Sequence, residues 1–175
     1  MTKQIVVATD GSDHAVKALD MAADLAAQSD GVLTIVHVLM HGQPPEELNR
    51  MAEIEHLIPH AARTAMPMLE HVPATMMGMF QASTEIEQAR QVVEAIGEKL
   101  VEDAAEQARR RGAKQVQTRI EIGDYAETIL AVAKDVGADM IVLGNRGLGD
   151  LKGLLMGSVS HKVGQLAECT IVTVK

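Results

Sequence analysis

The sequence predicts an α/β fold in which an open five-stranded parallel sheet is doubly wound, with helices on both faces. Short apolar runs rich in β-branched residues alternate along the chain with longer segments whose apolar residues recur at helical spacing. The run Val32–Leu39 is apolar almost throughout, which is typical of a parallel strand that is covered on both faces. Right-handed helical crossovers between such strands produce the doubly wound arrangement.

The composition favours one globular domain, because the chain has 175 residues of which 47% are hydrophobic and 23% charged. Aromatic residues make up only 1% and the formal net charge is −8. Both values argue against nucleic-acid binding, which uses positive charge and often aromatic stacking. Cys169 is the only cysteine, and neither a signal peptide nor a bilayer-spanning apolar run is recognisable. We therefore expect a cytoplasmic protein that does not bind membranes.

The N-terminal βαβ unit follows from its periodicity. A β-branched run, Ile5–Ala8, leads through the turn Thr9–Ser12 into a helix. Asp30 and Gly31 end that helix, and the second strand follows at Val32–Leu39. The apolar residues that share one face of the helix are Ala15, Ala18, Leu19, Ala22, Leu25 and Ala26.

Residues 40–83 differ in composition and are predicted to form an insert within a single domain that spans residues 1–175. All five prolines and seven of the eleven methionines fall in this segment. Methionine-rich sequence provides adaptable apolar surface, so the insert is interpreted as a cover for a site or an added interface, with a flexible loop as the alternative. His56 and His60 could bind a metal there with Glu53 or His71, but Pro59 lies between them and neither third ligand is firm, so no metal is predicted.

The C-terminal half repeats the alternation of helices and strands. A capping box at Thr84 opens a long helix that Gly112 ends. Gln115–Ile122 alternates polar and apolar residues, which predicts a strand near a sheet edge. Asp124 caps the following helix and Gly137 ends it. The remaining elements are a strand at Ala138–Leu143, a helix at Ser158–Ala167 and a final strand at Thr170–Val174.

The most distinctive segment joins the fourth strand to the last helix, from Leu143 to Ser160, and it contains five glycines. A strand that leads through a glycine-rich loop to a helix N-terminus is typical of a phosphate site, because the terminal N–H groups lack intrahelical partners and the dipole favours an anion. Arg146 and Lys152 add positive charge. An ordinary surface loop rich in glycine is the alternative.

Two common nucleotide motifs are excluded. A P-loop needs lysine directly after its second glycine, but Asp150 follows Gly149. The dinucleotide fingerprint needs a third glycine where Lys152 stands, and it belongs after the first strand of a domain.

The spacing Gly144-x2-Gly147-x9-Gly157-Ser158, together with the N-terminal IVVATDGS, resembles the universal stress protein family, specifically its ATP-binding branch. The resemblance covers the chain except about residues 40–83. It implies a Rossmann-like sheet with strand order 3-2-1-4-5, whose order reverses between the first and fourth strands. Ligands of such sheets bind beyond the carboxyl ends of the strands at the reversal.

By resemblance, the end of the first strand contacts the adenosine moiety, the backbone of Val38 reads the adenine edge, and the glycine loop wraps the phosphates. Asp10 could instead serve only as a turn or cap residue. Asn145 and Thr170 depart from the family pattern without removing a phosphate contact. The predicted nucleotide-binding residues are Ala8, Thr9, Asp10, Val38, Leu143, Gly144, Arg146, Gly147, Gly157, Ser158, Val159 and Ser160.

The resemblance implies a stress-response protein that binds ATP, or AMP or ADP, with Mg²⁺ assistance, and acts as a nucleotide-dependent regulatory or protective module. A slow ATPase and a nucleotide-free, chaperone-like scaffold dimer are the alternatives. The sequence shows no catalytic constellation, so hydrolysis should at most be weak. His37 is interpreted as a satisfied core histidine and Cys169 as inert packing.

The final strand predicts a homodimer. Residues 170–174 are β-branched throughout and lie at the sheet edge in the implied order. Because a bare apolar edge tends to aggregate unless it is paired, we expect antiparallel pairing with a second copy across a two-fold axis. Lys175 as a single protecting charge and an interface through the insert are the alternatives. On this interpretation, proline at Val172 would remove a pairing donor.

Overall fold

The computed structural model describes residues 3–39, 94–148 and 156–175. The chain divides into two units, residues 1–41 with 97–175 and residues 42–96, and the description below concerns the first. The insert at 40–83 and the capping box at Thr84 lie outside the described residues, so the single domain with an insert stays a prediction.

One sheet of five parallel strands organises the first unit. Its strands are β1 (Gln4–Ala8), β2 (Val32–Leu39), β3 (Gln115–Ile122), β4 (Met140–Gly144) and β5 (Thr170–Val174). They are arranged in the order β3-β2-β1-β4-β5, which confirms the predicted α/β fold and strand order. β3 and β5 are the two edges of this sheet, as the alternation in β3 predicts.

Four helices cover both faces of the sheet within the described residues. They are α1 (Asp13–Ser29), α2 (described over 94–110), α3 (Tyr125–Asp135) and α4 (Ser158–Leu166). Odd-numbered core residues of β1 and β2 face the layer of α1 and α2, and even-numbered ones face the layer of α3 and α4. The buried hydrophobic residues of both layers are aliphatic, and Tyr125 packs partly buried against the layer of α3 and α4.

Helix α1 shows how local sequence sets the elements. The Ser12 hydroxyl accepts a hydrogen bond from the Ala15 N–H at 3.3 Å, which satisfies one of the unpaired donors of the first turn. Asp30 ends the helix in the left-handed conformation, with φ of 49°. The buried face is almost entirely alanine, so α1 can approach the sheet closely.

None of the helices described between residues 3 and 175 is long and apolar enough to cross a membrane.

Candidate functional site

The order of the sheet places β1 beside β4 while the chain leaves these two strands in opposite directions. After β1 the chain enters α1 on one face, and after β4 it leads to α4 on the other face. The loops that follow Ala8 and Gly144 therefore diverge and open a crevice at the carboxyl end of the sheet. The predicted site residues lie around this crevice.

Asp10 joins the two loops of the crevice. Its Oδ1 accepts a hydrogen bond from the Ser12 N–H at 3.0 Å, and its Oδ2 accepts one from the Leu148 N–H at 2.9 Å. Gly147 lies directly against this carboxylate, and a Cβ at Gly147 would overlap Oδ2. Asp10 is thus a turn residue, as the alternative interpretation had it, and it also anchors the glycine loop.

Gly144 is required by packing within the protein. A Cβ at this position would lie 2.8 Å from the carbonyl carbon of His14 and 2.9 Å from the amide nitrogen of Ala15. Both are backbone atoms of the first turn of α1, which cannot rotate away as a side chain could. The glycine therefore allows the end of β4 to pass α1 at close range.

Asn145 holds three elements together through its backbone. Its N–H donates to the Val174 carbonyl at 2.6 Å, and its carbonyl accepts from the Gly157 N–H at 2.8 Å and from the Ser160 hydroxyl at 3.0 Å. Ser160 is only 4% exposed. The Gly157 N–H and the Ser160 hydroxyl, both predicted to contact phosphate, thus donate to a carbonyl of the protein itself.

Gly157 differs from the other two motif glycines. A Cβ there would meet the Asn145 carbonyl oxygen and the Ser160 Oγ at 3.4 Å and no described atom more closely, and its φ of −69° suits any residue. The described part of the protein accordingly does not require glycine at this position.

The N-terminus of α4 begins at Gly157 without a side-chain cap, whereas α1 and α3 are capped by Ser12 and Asp124. The first helical hydrogen bond runs from the His161 N–H to the Gly157 carbonyl at 2.9 Å. The preceding N–H groups, those of residues 158–160, have no intrahelical acceptor. They give this end of the helix a partial positive charge.

Val38 presents its backbone to the crevice. In a parallel strand the N–H and C=O of one residue point to the same side, and alternate residues share that side. The Val36 carbonyl accepts from the Thr9 N–H at 2.9 Å, so the polar groups of Val38 also point toward β1. β1 has already ended at Ala8. The Val38 side chain, 6% exposed, belongs to the core.

His37 is buried beside this point, with 3% of its surface exposed. Its Nδ1 lies 2.8 Å from the Thr9 carbonyl oxygen and must carry the proton, because a carbonyl only accepts. Its Nε2 is buried with no hydrogen-bond partner among the described residues, so the expectation of a satisfied core histidine is only half correct. Burial lowers the pKa of the imidazole, opposed by the Thr9 hydrogen bond and the Asp10 charge.

Other predicted residues occupy less informative positions. Leu143 is a core residue that is 3% exposed. Ala8 is half-buried at the C-terminal end of β1, and Arg146 is half-buried in the glycine loop. Lys152 and the possible His56/His60 metal site lie outside the described residues. The rest of the chain, over 3–39, 94–148 and 156–175, contains no group of three His, Cys, Asp or Glu side chains arranged to hold a metal.

Sequence reasoning missed the roles of Asn145 and His37. Asn145 acts through its backbone, which leaves no signal in the residue type. A histidine inside an apolar strand is a weak signal, and nothing in the sequence indicates that its partner is the carbonyl of Thr9. Cys169 is half-buried, and burial raises the pKa of its thiol, which is consistent with inert packing.

The model of the universal stress protein family matches residues 1–175 of the chain. Universal stress protein YxiE of Bacillus subtilis is 34% identical over 175 residues, covering 100% of both chains. Universal stress protein Rv1636 of Mycobacterium tuberculosis is 28% identical over 172 residues, covering 98% of this chain and 95% of the relative.

Solved structures show the same architecture. Universal stress protein UspA from Lactobacillus plantarum has a TM-score of 0.69 at 19% identity, covering 99% of this chain and 97% of its own. A universal stress protein in complex with cAMP has a TM-score of 0.59 at 24% identity, and the match covers 99% of this chain and 96% of that protein. The universal stress protein from Archaeoglobus fulgidus in complex with dAMP has a TM-score of 0.54 at 20% identity, and the match covers 100% of this chain and 98% of that protein. The family model, the relatives and the fold agree: the chain belongs to the universal stress protein family.

Proposed function

We propose that the chain binds an adenine nucleotide, ATP or its mono- or diphosphate, in the crevice between β1 and β4. The observation that carries this proposal is the uncapped N-terminus of α4 beside Gly157, a glycine that packing within the described protein does not explain. A backbone without a Cβ at an open helix N-terminus suits a phosphate. Two proteins of similar fold were solved with cAMP and dAMP, which supports an adenine nucleotide.

The phosphate end of the proposed site lies at α4. The N–H groups of Ser158 and Val159 supply donors and the positive end of the helix dipole. Arg146 lies in the same loop, next to Gly147. Mg²⁺ is bound in such sites largely through the phosphates and water, so it would arrive with ATP and need no cluster of protein ligands.

The adenosine end of the proposed site lies across the crevice, at β1 and β2. The N–H and C=O of Val38 form a donor–acceptor pair that matches the edge of adenine, and Ala8 and Thr9 border it. Asp10 lies between this end and the glycine loop, where it could accept a hydrogen bond from ribose while keeping its bond to Leu148.

A regulatory or protective role in the cytoplasm fits this site better than rapid catalysis. A general base must be placed within reach of the proton that it removes. Asp10 is held by two backbone N–H groups as the anchor of the glycine loop, and His37 is buried, with its Nδ1 donating to Thr9. We therefore expect hydrolysis of bound ATP to be slow.

Substitution of Gly157 by valine tests the nucleotide site. The branched side chain should block the approach of phosphate and lower ATP affinity at least tenfold, equivalent to about 1.4 kcal/mol. The fold should survive, because a Cβ at Gly157 makes only ordinary contacts. Isothermal titration with ATP and Mg²⁺ gives the affinity, and thermal unfolding checks the fold.

Gly164→Val is the matched control, since it places the same side chain on the same helix, where no described atom outside that helix lies within 4 Å of the added Cβ. Its ATP affinity should equal that of the wild type. Equal affinities of wild type and a folded Gly157→Val variant would remove the proposed site.

We further propose that β5 pairs with β5 of a second copy in a homodimer. The directions in which the backbone groups of β5 point support this proposal. The Val174 carbonyl accepts from Asn145, and the Thr170 N–H donates to Asp139, so even-numbered residues of β5 point their backbone groups at β4. Ile171 and Thr173 consequently direct theirs outward. Val172, expected from sequence to offer a pairing donor at the edge, is directed inward instead, and proline there would break the β4–β5 ladder.

Thr173→Pro should yield a folded monomer. It removes an outward donor that an antiparallel copy would use, while edge strands tolerate proline where the N–H faces solvent. Sedimentation equilibrium measures the change in mass, with Thr173→Val as a control that keeps the N–H and the dimer. A dimer that persists in the folded Thr173→Pro variant would place the interface elsewhere, for example on the insert.

A further inference from the structure

The ladder between β1 and β2 stops one hydrogen bond early. The register Ala8↔Val36 and the bond from the Thr9 N–H to the Val36 carbonyl define the next bond of a parallel ladder, from the Val38 N–H to the Thr9 carbonyl. That carbonyl instead accepts from Nδ1 of His37 at 2.8 Å. Among the described residues, no backbone hydrogen bond joins Val38 to Thr9.

We propose that His37 is a positioning residue for the nucleotide site. By occupying the Thr9 carbonyl, its imidazole keeps the Val38 N–H directed into the crevice, where the acceptor nitrogen of an adenine edge would receive it. This inference deepens the proposed function and rests on it for the identity of the ligand. The same hydrogen bond holds Thr9 at the start of the turn that carries Asp10 to the glycine loop.

The chemistry of the imidazole suits this role. Nδ1 must be the protonated nitrogen of the neutral ring, because its partner is a carbonyl. Nε2 then retains a lone pair that finds no donor among the described residues. It is buried within a residue that is only 3% exposed. On α2, a Cβ at Gly97 would lie 3.1 Å from Cδ2 of the ring, so a glycine there leaves room for the imidazole. Among the described residues, Nε2 has no hydrogen-bond partner, which is unfavourable for a residue that serves packing alone.

His37→Leu and His37→Asn separate positioning from packing. Leucine has a similar volume but no donor, so the Val38 N–H should close onto the Thr9 carbonyl and extend the ladder. Asparagine can place its Nδ2 donor where Nδ1 of the imidazole lies and should rescue the arrangement. Ile35→Val, a buried change on the same strand and the same face, serves as the control for a general loss of packing.

ATP affinity and unfolding stability are measured for each variant, both on the full chain. Titration with ATP and Mg²⁺ should show His37→Leu about tenfold weaker than wild type, with His37→Asn and Ile35→Val within about threefold of it. Unfolding by denaturant should show that His37→Leu is at least as stable as wild type, because it removes a buried Nε2 that has no partner within the described part of the chain. A purely structural role would lower stability and affinity together.

Through-hydrogen-bond coupling between the Val38 amide nitrogen and the Thr9 carbonyl carbon, measured by NMR without nucleotide, should appear in His37→Leu and be absent from wild type. Equal ATP affinity of His37→Leu and wild type would overturn the inference, as would this coupling in wild type or its absence from His37→Leu. Failure of wild type to bind ATP would reject the proposed function separately, and the coupling would still decide whether His37 holds the ladder open.

Discussion

Replacing Gly144 with alanine should lower the free energy of unfolding by about 3 kcal/mol, near the upper end of the usual cost of overpacking. The added methyl group would lie within 2.8–2.9 Å of two backbone atoms of α1, at His14 and Ala15. Relief requires that the helix move away from the end of β4, which disturbs the layer of α1 and α2 along its length. For a chain of this size the melting temperature should fall by roughly 6–12 °C.

Gly164→Ala is the matched control for this prediction. Gly164 lies within α4, and an added Cβ would have no atom of another described element within 4 Å. The same substitution there should raise stability by up to about 1 kcal/mol, because alanine favours the helix over glycine. Denaturant unfolding of the two variants should therefore give changes of opposite sign. A Gly144→Ala variant as stable as wild type would show that α1 and β4 do not approach as described.

Asp10→Ala should have the largest effect on ligand binding. It removes the acceptor of both the Ser12 and the Leu148 N–H, and thereby detaches the glycine loop from the β1 turn. A hydrogen bond to a charged group contributes about 2 kcal/mol, so the loss of the bond that orders the loop, the one to Leu148, should reduce ATP affinity by roughly thirtyfold. Calorimetric titration measures the affinity, and the NMR signal of the Leu148 amide reports the detachment.

Asp10→Asn distinguishes anchoring from simple charge. The amide keeps one acceptor oxygen, so one of the two backbone bonds is retained and the affinity should lie between those of wild type and Asp10→Ala. If Asp10 acted only as a negative charge near the phosphates, its neutralisation would instead strengthen ATP binding. A rise in affinity for Asp10→Asn would thus contradict the anchoring role.

The strands and helices could be predicted because their signals are local. The apolar run of β2 and the β-branched run of β5 match their observed bounds, and the polar–apolar alternation of β3 correctly indicated an edge. The caps of α1 and α3 lie next to the helices that they start. Strand order came from resemblance, since nothing within a single strand specifies its neighbours.

The site was predictable in location but less so in detail. The reversal between β1 and β4 follows from the strand order, and Asp10 and Gly147 both lie there, although their direct contact was not predicted. The contact of Gly144 with α1 joins residues about 130 positions apart, and the bond of Asn145 to Val174 uses only backbone atoms. Contacts of this kind depend on tertiary packing, which a spacing of glycines does not encode.

The glycines of the motif differ in what they offer to protein engineering. Gly144 and Gly147 are constrained by the scaffold itself, through the backbone of α1 and the carboxylate of Asp10, so changes there alter folding and recognition together. Gly157 has no such constraint from the described residues. Mutational libraries should accordingly tolerate many residues at 157 when selected for expression and few at 144 under the same selection. Residue 157 is therefore the position at which a non-binding reference protein with an intact scaffold should be made.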